Sequence, residues 1–268
     1  MKRKFILFVF VIIIAISSFS CKKESNKKYT SYEKIEKAPK SLDSIYEGVN
    51  SILENVEKLN AIIKEPEEKQ GEKTNEKSEE NKSKDEDKQK QTKEEKTNKL
   101  WKTMNNSIKE IHAHWNSYEI EGTKKAGISS GEEKFEESLN KLTLAVENKD
   151  VFNILNNGSQ VYLNISPFFD SYKDEIKGDL CKIKYYIYQT YLIGESGDLD
   201  RAKEILSEGE VYLTNLRHKI GKDEKKTKAF EKLNFSLQDI KGVLNENNSN
   251  LLTIKRDIIL DNIKQLKG

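Results

Sequence analysis

Cysteine, proline, histidine and arginine are all scarce in this chain of 268 residues. It has two cysteines, three prolines and three histidines, and its arginines are Arg3, Arg201, Arg217 and Arg256. Two cysteines are too few for the disulfide framework that supports many small secreted domains. The shortage of arginine, with a formal net charge of only +2, argues against bidentate reading of phosphates and bases. We therefore expect no nucleic-acid partner.

The side chains that usually carry catalysis or bind metals do not form a recognisable motif. The chain contains no HExxH, GxSxG or CxxC sequence and no glycine-rich phosphate loop. His112 and His114 are two residues apart, so a helix directs them away from each other, and only Glu110 and His114 share a face. Cys181 lies in an apolar stretch with no histidine near it in sequence, which favours a small buried residue. We predict neither an enzyme nor a bound cofactor or metal.

Long apolar runs are absent except at the start of the chain. Lys2, Arg3 and Lys4 precede the apolar run from Phe5 to Ile16, and four residues rich in serine then lead to Cys21. The run is shorter than the roughly 20 residues that a membrane-spanning helix needs. Residues 1–20 are therefore predicted to be a signal peptide. The site resembles the lipobox of bacterial lipoproteins, although Ser18 stands where that motif usually has a branched aliphatic residue. The resemblance implies that Cys21 becomes the acylated N-terminus and attaches the protein to a membrane.

A lysine-rich tether, residues 21–39, is followed by a predicted amphipathic helix over residues 40–64. The apolar residues of this helix alternate in steps of three and four, which is a heptad pattern, at Leu42, Ile45, Val49, Ile52, Val56, Leu59 and Ile63. Burying them stabilises the helix by about as much as ordering the helix costs. The helix therefore needs a partner surface. It either docks on the rest of the chain or associates with a second copy.

Residues 65–99 contain no apolar residue and consist almost entirely of charged and small polar side chains. Such a composition cannot bury enough surface to offset the entropy lost on ordering. We predict a disordered linker over these 35 positions.

From residue 100 to 268 the sequence reads as one helix after another. The three-four spacing recurs from Trp101 to Tyr118, from Phe135 to Val146 and in five further segments, with no alternation typical of strands. Proline at position 167 is expected to end one helix, and Asp198 to cap another. The predicted fold is all-α, a bundle of about seven helices after the linker together with the helix at 40–64.

One local pattern resembles a tetratricopeptide helical hairpin and spans residues 184–210. An aromatic residue, small residues and a Gly-Asp turn fall at the offsets of that motif, at Tyr186, Thr190, Gly197, Asp198, Ala202 and Leu206. Gly209 stands where a second small packing residue is expected. The resemblance implies a groove that binds peptide or protein segments, and a generic antiparallel helix pair is the alternative.

The whole arrangement resembles Borrelia-type spirochaetal envelope lipoproteins. The resemblance rests on the signal and Cys21, the lysine-rich tether, the charged linker and the helical body. It implies a lipid-anchored, non-enzymatic protein of the cell envelope that binds another envelope protein from the periplasmic face. The alternative it implies is a surface-displayed adhesin or immune-evasion lipoprotein that binds a host protein.

Overall fold

Eight α-helices build the part of the chain that the computed structural model describes, namely residues 37–64, 92–123, 131–173, 175–246 and 248–267. These ranges hold no strand, so the all-α prediction is confirmed, with one helix before and seven after the charged segment. The helices are α1 Lys40–Lys64, α2 Lys93–Tyr118, α3 Glu132–Glu147, α4 Val151–Asp170, α5 Lys177–Glu195, α6 Leu199–Ile220, α7 Glu224–Val243 and α8 Ser249–Lys267. A π-helical turn, Glu119–Thr123, continues α2.

The predicted signal peptide, Cys21 and most of the tether lie outside the described residues, as do residues 65–91 of the predicted linker. Within the described ranges, no helix has both the length and the apolar character required to cross a membrane.

Helix α1 lies inside the bundle and contributes to its core. Six of its seven heptad residues are at most 1% exposed, and only Ile63 lies at the surface. Burial extends beyond that stripe to Tyr46 and Leu53, because α1 packs against both α2 and α4 and forms side-chain contacts with α5 and α8. Of the two alternatives for α1, docking on the rest of the chain is thus what the structure shows. Self-association would require α1 to leave this core.

Helix α2 begins within the predicted linker, at Lys93, so residues 93–99 are helical and that part of the linker prediction is wrong. The cause is a capping box, in which the Thr92 hydroxyl accepts from the Glu95 amide at 3.2 Å and the Glu95 carboxylate accepts from the Thr92 amide at 3.0 Å. The Lys93 ammonium also donates to the carbonyl of Ile63 at 3.2 Å. The end of α1 and the start of α2 therefore lie side by side.

The later helices form three hairpins, α3 with α4, α5 with α6 and α7 with α8, and α5 packs in addition against α4 and α8. The periodic apolar residues of α2 and α3 are buried as predicted. In α8 the three-four apolar spacing predicts that Ile254 and Ile258 are buried, but Ile254 is 54% exposed and Ile258 is 42% exposed.

Helix α4 continues past Pro167, near which it is predicted to stop, and ends three residues later at Asp170. A proline cannot donate to the carbonyl four residues earlier, here that of Leu163. The hydroxyl of Ser166 donates to this carbonyl instead, at 2.8 Å. Phe168 and Phe169, both fully buried, hold the last turn against the core.

The cap of α4 predicts a pH-dependent loss of stability. Asp150 accepts from the backbone amide and the side-chain amide of Asn153, and these hydrogen bonds hold the pKa of Asp150 below its ordinary value of 3.8. Replacing Asp150→Ala is expected to lower the free energy of unfolding by about 1 kcal/mol near neutral pH. Because the folded-state pKa is depressed, the contribution is present above the ordinary pKa and disappears as the pH falls through the folded-state value.

Urea unfolding of the wild type and the Asp150→Ala variant over a pH series measures this effect. Asn248→Ala is the matched control, since it removes a neutral side-chain oxygen that accepts from the Leu251 amide at 3.0 Å at the start of α8, and its effect should not vary with pH in this range. A difference between wild type and Asp150→Ala that persists at the acid end of the series would contradict the prediction.

Candidate functional site

The hairpin predicted from the Gly-Asp turn is present as α5 and α6. Gly197 adopts a φ of +90° at the turn, a conformation that glycine reaches without strain. Asp198 then caps α6 by accepting from the amide of Arg201 at 3.1 Å. A Cβ atom placed on Gly194 would lie 3.9 Å from that of Ala202, so the two helices run close together near the turn. The helix pair is confirmed, and its assignment to the tetratricopeptide class stays a prediction.

The remaining predicted residues divide between the core and the surface of this hairpin. Thr190, Ala202 and Leu206 are buried, whereas Tyr186 is half-buried and lies over Gly209. A Cβ atom on Gly209 would come within 2.8 Å of the Cβ of Tyr186. Glycine at this position therefore allows α5 and α6 to approach, and the helix continues through it.

An open groove of about 370 Å³ separates α6 from α7. These two helices pack less closely against each other than α5 packs against α6 or α7 against α8. Leu213 and Phe230 provide its apolar surface, and polar or charged side chains make up the rest of the lining, namely Glu210, Thr214, Arg217, His218, Asn234, Gln238 and Lys241. A mixture of apolar, polar and charged side chains of this kind is compatible with a protein-binding surface.

Charged side chains link the two helices at both ends of this α6–α7 groove. At one end Lys241 pairs with Glu210. At the other end the Arg217 guanidinium lies 5.9 Å from the centre of the Phe230 ring and donates to the Gly221 carbonyl at 3.2 Å. The groove therefore has fixed ends and an open side.

Tyrosines cover the opposite side of α6, where it meets α5. The rings of Tyr186 and Tyr212 stack with their centres 5.7 Å apart, Tyr185 packs edge-on against Tyr186, and the Lys182 ammonium lies 5.2 Å from the Tyr212 ring. Burial and the neighbouring Tyr212 raise the pKa of Tyr186 to about 12. These tyrosines pack between helices, and the raised pKa keeps Tyr186 protonated at neutral pH.

The histidines and the described cysteine do not converge on one site, although His218 lies in the lining of the groove. His112 shares a hydrogen bond of 3.0 Å with Thr143, between α2 and α3, and burial lowers its pKa. Cys181 is fully buried. Among the described residues, no three histidine, cysteine or acidic side chains form a group that could hold a metal ion.

A buried lysine joins α1 to α4 and α5, a feature that the sequence pattern did not indicate. Lys184 is 4% exposed, and its ammonium donates to the side-chain oxygen of Asn50. The same oxygen accepts from the Tyr162 hydroxyl, and the ammonium lies 4.9 Å from the ring centres of both Tyr46 and Tyr162. This Asn50–Lys184 cluster combines a charge-assisted hydrogen bond with two cation–π contacts.

A second buried cation joins α1, α5 and α8. Arg256 is 2% exposed, its guanidinium lies 4.0 Å from the centre of the Tyr191 ring, and it pairs with Asp257 at 2.6 Å. The Glu57 carboxylate accepts from the Tyr188 hydroxyl at 3.2 Å and lies 4.0 Å from Arg256. Burial raises the pKa of Glu57 despite the arginine beside it. For Arg256, burial alone would lower the pKa, but Asp257 and Glu57 raise it.

Sequence reasoning missed both buried cations for the same reason. A lysine or arginine in a helix is normally solvated, and only the tertiary packing of α1 against α5 and α8 shows that Lys184 and Arg256 are enclosed. The sequence does contain one indication of this burial, because each cation lies on a helix face that also carries apolar residues. Lys184 is one turn from Leu180 and from Tyr188. Arg256 is one turn from Leu252 and from Ile259.

Comparison of the chain with protein-family models, curated proteins and solved structures finds no match to any of them.

Proposed function

We propose that this chain is a lipid-anchored, non-enzymatic protein of the cell envelope that binds another protein through the α6–α7 groove. The observation that carries the proposal is the groove itself, with its apolar surface at Leu213 and Phe230, its polar rim and its open side. Helix-lined grooves of this kind accept helical or extended segments of partner proteins. The resemblance of α5 and α6 to a tetratricopeptide hairpin supports the same kind of partner.

The binding half of the proposal is tested by filling the groove. We expect Thr214→Trp, at an exposed position in the groove lining, to abolish capture of a partner that the wild-type protein retains from native envelopes. The bait should be the chain from Lys22 to Gly268, because α1 belongs to the core. A domain that begins at residue 100 would lack it.

Thr103→Trp is the matched control, since Thr103 is an exposed threonine of α2 and does not line the groove. The wild type and this control should retain the same proteins. If Thr214→Trp also retains them all, the groove is not the binding site.

The anchoring half depends on Cys21 and is tested separately. A cell that expresses Cys21→Ala is expected to lose the protein from membranes that have been washed with high salt, because salt removes proteins held by charge and does not remove a lipoprotein held by three acyl chains. Unchanged fractionation after the salt wash would refute the anchor and leave the groove proposal intact. Protease treatment of intact cells then separates the two partner classes, because digestion indicates a host-facing protein and protection indicates a periplasmic one.

A further inference from the structure

The outer face of the C-terminal hairpin, α7 with α8, combines protruding apolar side chains with lysines. Phe235 is 69% exposed, Ile254 is 54% exposed and Ile258 is 42% exposed. We call these three residues and the lysines beside them the α7–α8 face.

Two contacts between the helices show how this face is arranged. The Lys255 ammonium pairs with Asp239 at 2.8 Å, and the side-chain amide of Asn262 donates to the carbonyl of Lys232 at 3.3 Å. Both contacts run along the outer edge of the interface, so the residues that lie between them on each helix also border that edge.

Phe235 and Ile258 occupy those intermediate positions. On α7, Phe235 lies three residues after Lys232 and four before Asp239. On α8, Ile258 lies three residues after Lys255 and four before Asn262. The two apolar side chains therefore flank the same interhelical edge, and Ile254 extends the patch by one turn along α8.

Lysines dominate the end of this face where α7 begins and α8 ends. A groove of about 460 Å³ there has four lysines and no carboxylate in its lining, which consists of Lys225, Lys228, Ala229, Lys232, Lys264 and Gln265. Lys264 also pairs with Glu54 at 3.2 Å and with Asp261 at 3.1 Å, so the proposal rests on Lys228 and Lys232 of α7.

We propose that the α7–α8 face binds the surface of a bilayer that contains anionic phospholipids. Lysines beside exposed phenylalanine and isoleucine match such a surface, where cationic groups meet lipid phosphates and apolar side chains enter the region below them. A bilayer accepts apolar side chains that protrude from a helix pair, whereas a protein partner would have to provide pockets of matching shape. Charge and shape together favour the lipid surface. The proposal does not depend on acylation of Cys21, since the α7–α8 face itself supplies the binding.

Vesicle sedimentation with the unacylated chain from Lys22 to Gly268 tests the proposal directly. We expect the wild type to sediment with vesicles of phosphatidylglycerol and phosphatidylcholine, to stay in solution with phosphatidylcholine alone, and to dissociate as salt is added. The double variant Lys228→Gln/Lys232→Gln should bind the anionic vesicles about tenfold to thirtyfold more weakly. Phe235→Ser/Ile258→Ser should weaken binding by a similar factor.

Matched controls come from helices α2, α3 and α4. Lys102→Gln/Lys109→Gln removes two exposed lysines from α2, and Leu144→Ser/Phe152→Ser removes two apolar side chains that are 58% and 57% exposed. Both controls should bind like the wild type. Equal losses in the controls, or failure of the wild type to bind anionic vesicles, would overturn the proposal. Binding of polyglutamate without binding of vesicles would also overturn it and assign the face to an acidic protein.

Discussion

A chain that begins at Thr92, and so lacks α1, is expected not to fold. Eight apolar side chains of α1 are buried, namely Leu42, Ile45, Tyr46, Val49, Ile52, Leu53, Val56 and Leu59. Each contributes about 1.5 to 3 kcal/mol when it leaves water. Without α1, the apolar side chains of α2 and α4 that pack against it are exposed to water, and a domain with about 5 to 15 kcal/mol of net stability does not tolerate that exposure.

The measurement compares residues 37–268 with residues 92–268 by circular dichroism and urea unfolding. The longer chain should unfold in one cooperative transition, and the shorter one should show none. A synthetic peptide of residues 37–64 should restore the transition, whereas the same peptide with Ile52→Asp should not. Cooperative unfolding of residues 92–268 alone would show that α1 is an accessory to a self-sufficient domain.

The central position of α1 also shows what the sequence could and could not predict. Its heptad stripe from Leu42 to Leu59 predicts one buried face and the need for a partner. The burial of Tyr46, Asn50 and Leu53 lies off that stripe, because α4, α5 and α8 enclose the helix from further directions. Which helices become neighbours depends on packing between distant segments, and the periodicity of each helix contains no information on that.

Helix ends were predictable where local hydrogen bonding decides them. Asp198 caps α6 as its position predicts, and the same reasoning applied to Thr92 and Glu95 would have found the start of α2. Helix α4 passes through Pro167, because the effect of a proline depends on whether another donor reaches the carbonyl that it leaves free. Here the hydroxyl of Ser166 does so.

The surfaces proposed for binding were the least predictable part of the molecule. Ile254 and Ile258 continue the apolar spacing of α8 and were expected in the core, yet α7 leaves that side of the helix open. The α6–α7 groove is lined mostly by polar residues that a solvated helix would also carry. Its existence follows from the wide separation of two helices, which no residue pattern specifies.

The substitution Asn50→Leu is expected to destabilise the protein far more than the small difference in side-chain volume suggests. The side-chain oxygen of Asn50 accepts from the Lys184 ammonium and from the Tyr162 hydroxyl. Leucine removes this shared acceptor while both donors stay buried. Removing one partner of a buried hydrogen bond costs about 1 to 3 kcal/mol, and more when the donor is charged, so the free energy of unfolding should fall by about 3 kcal/mol.

The converse substitution, Lys184→Met, should cost only about 1 kcal/mol. In this variant Asn50 still accepts from Tyr162. The methionine side chain can occupy the space beside the rings of Tyr46 and Tyr162 where the ammonium lies in the wild type. In the Lys184→Met background, Asn50→Leu should cost about 2 kcal/mol less than it does in the wild type.

A double-mutant cycle by urea unfolding measures all four proteins, with Asn55→Leu as the matched control. Asn55 is as buried as Asn50 and lies on the same helix, but its side-chain amide donates to Ser51 within α1 at 3.4 Å and contacts no cation. Its replacement should cost about 1 kcal/mol. If Asn50→Leu and Asn55→Leu cost the same, or if Asn50→Leu is equally costly with methionine at 184, then the lysine draws no stability from Asn50. The position of α1 would in that case rest on its apolar packing and its other polar contacts, among them those of Glu54 and Glu57.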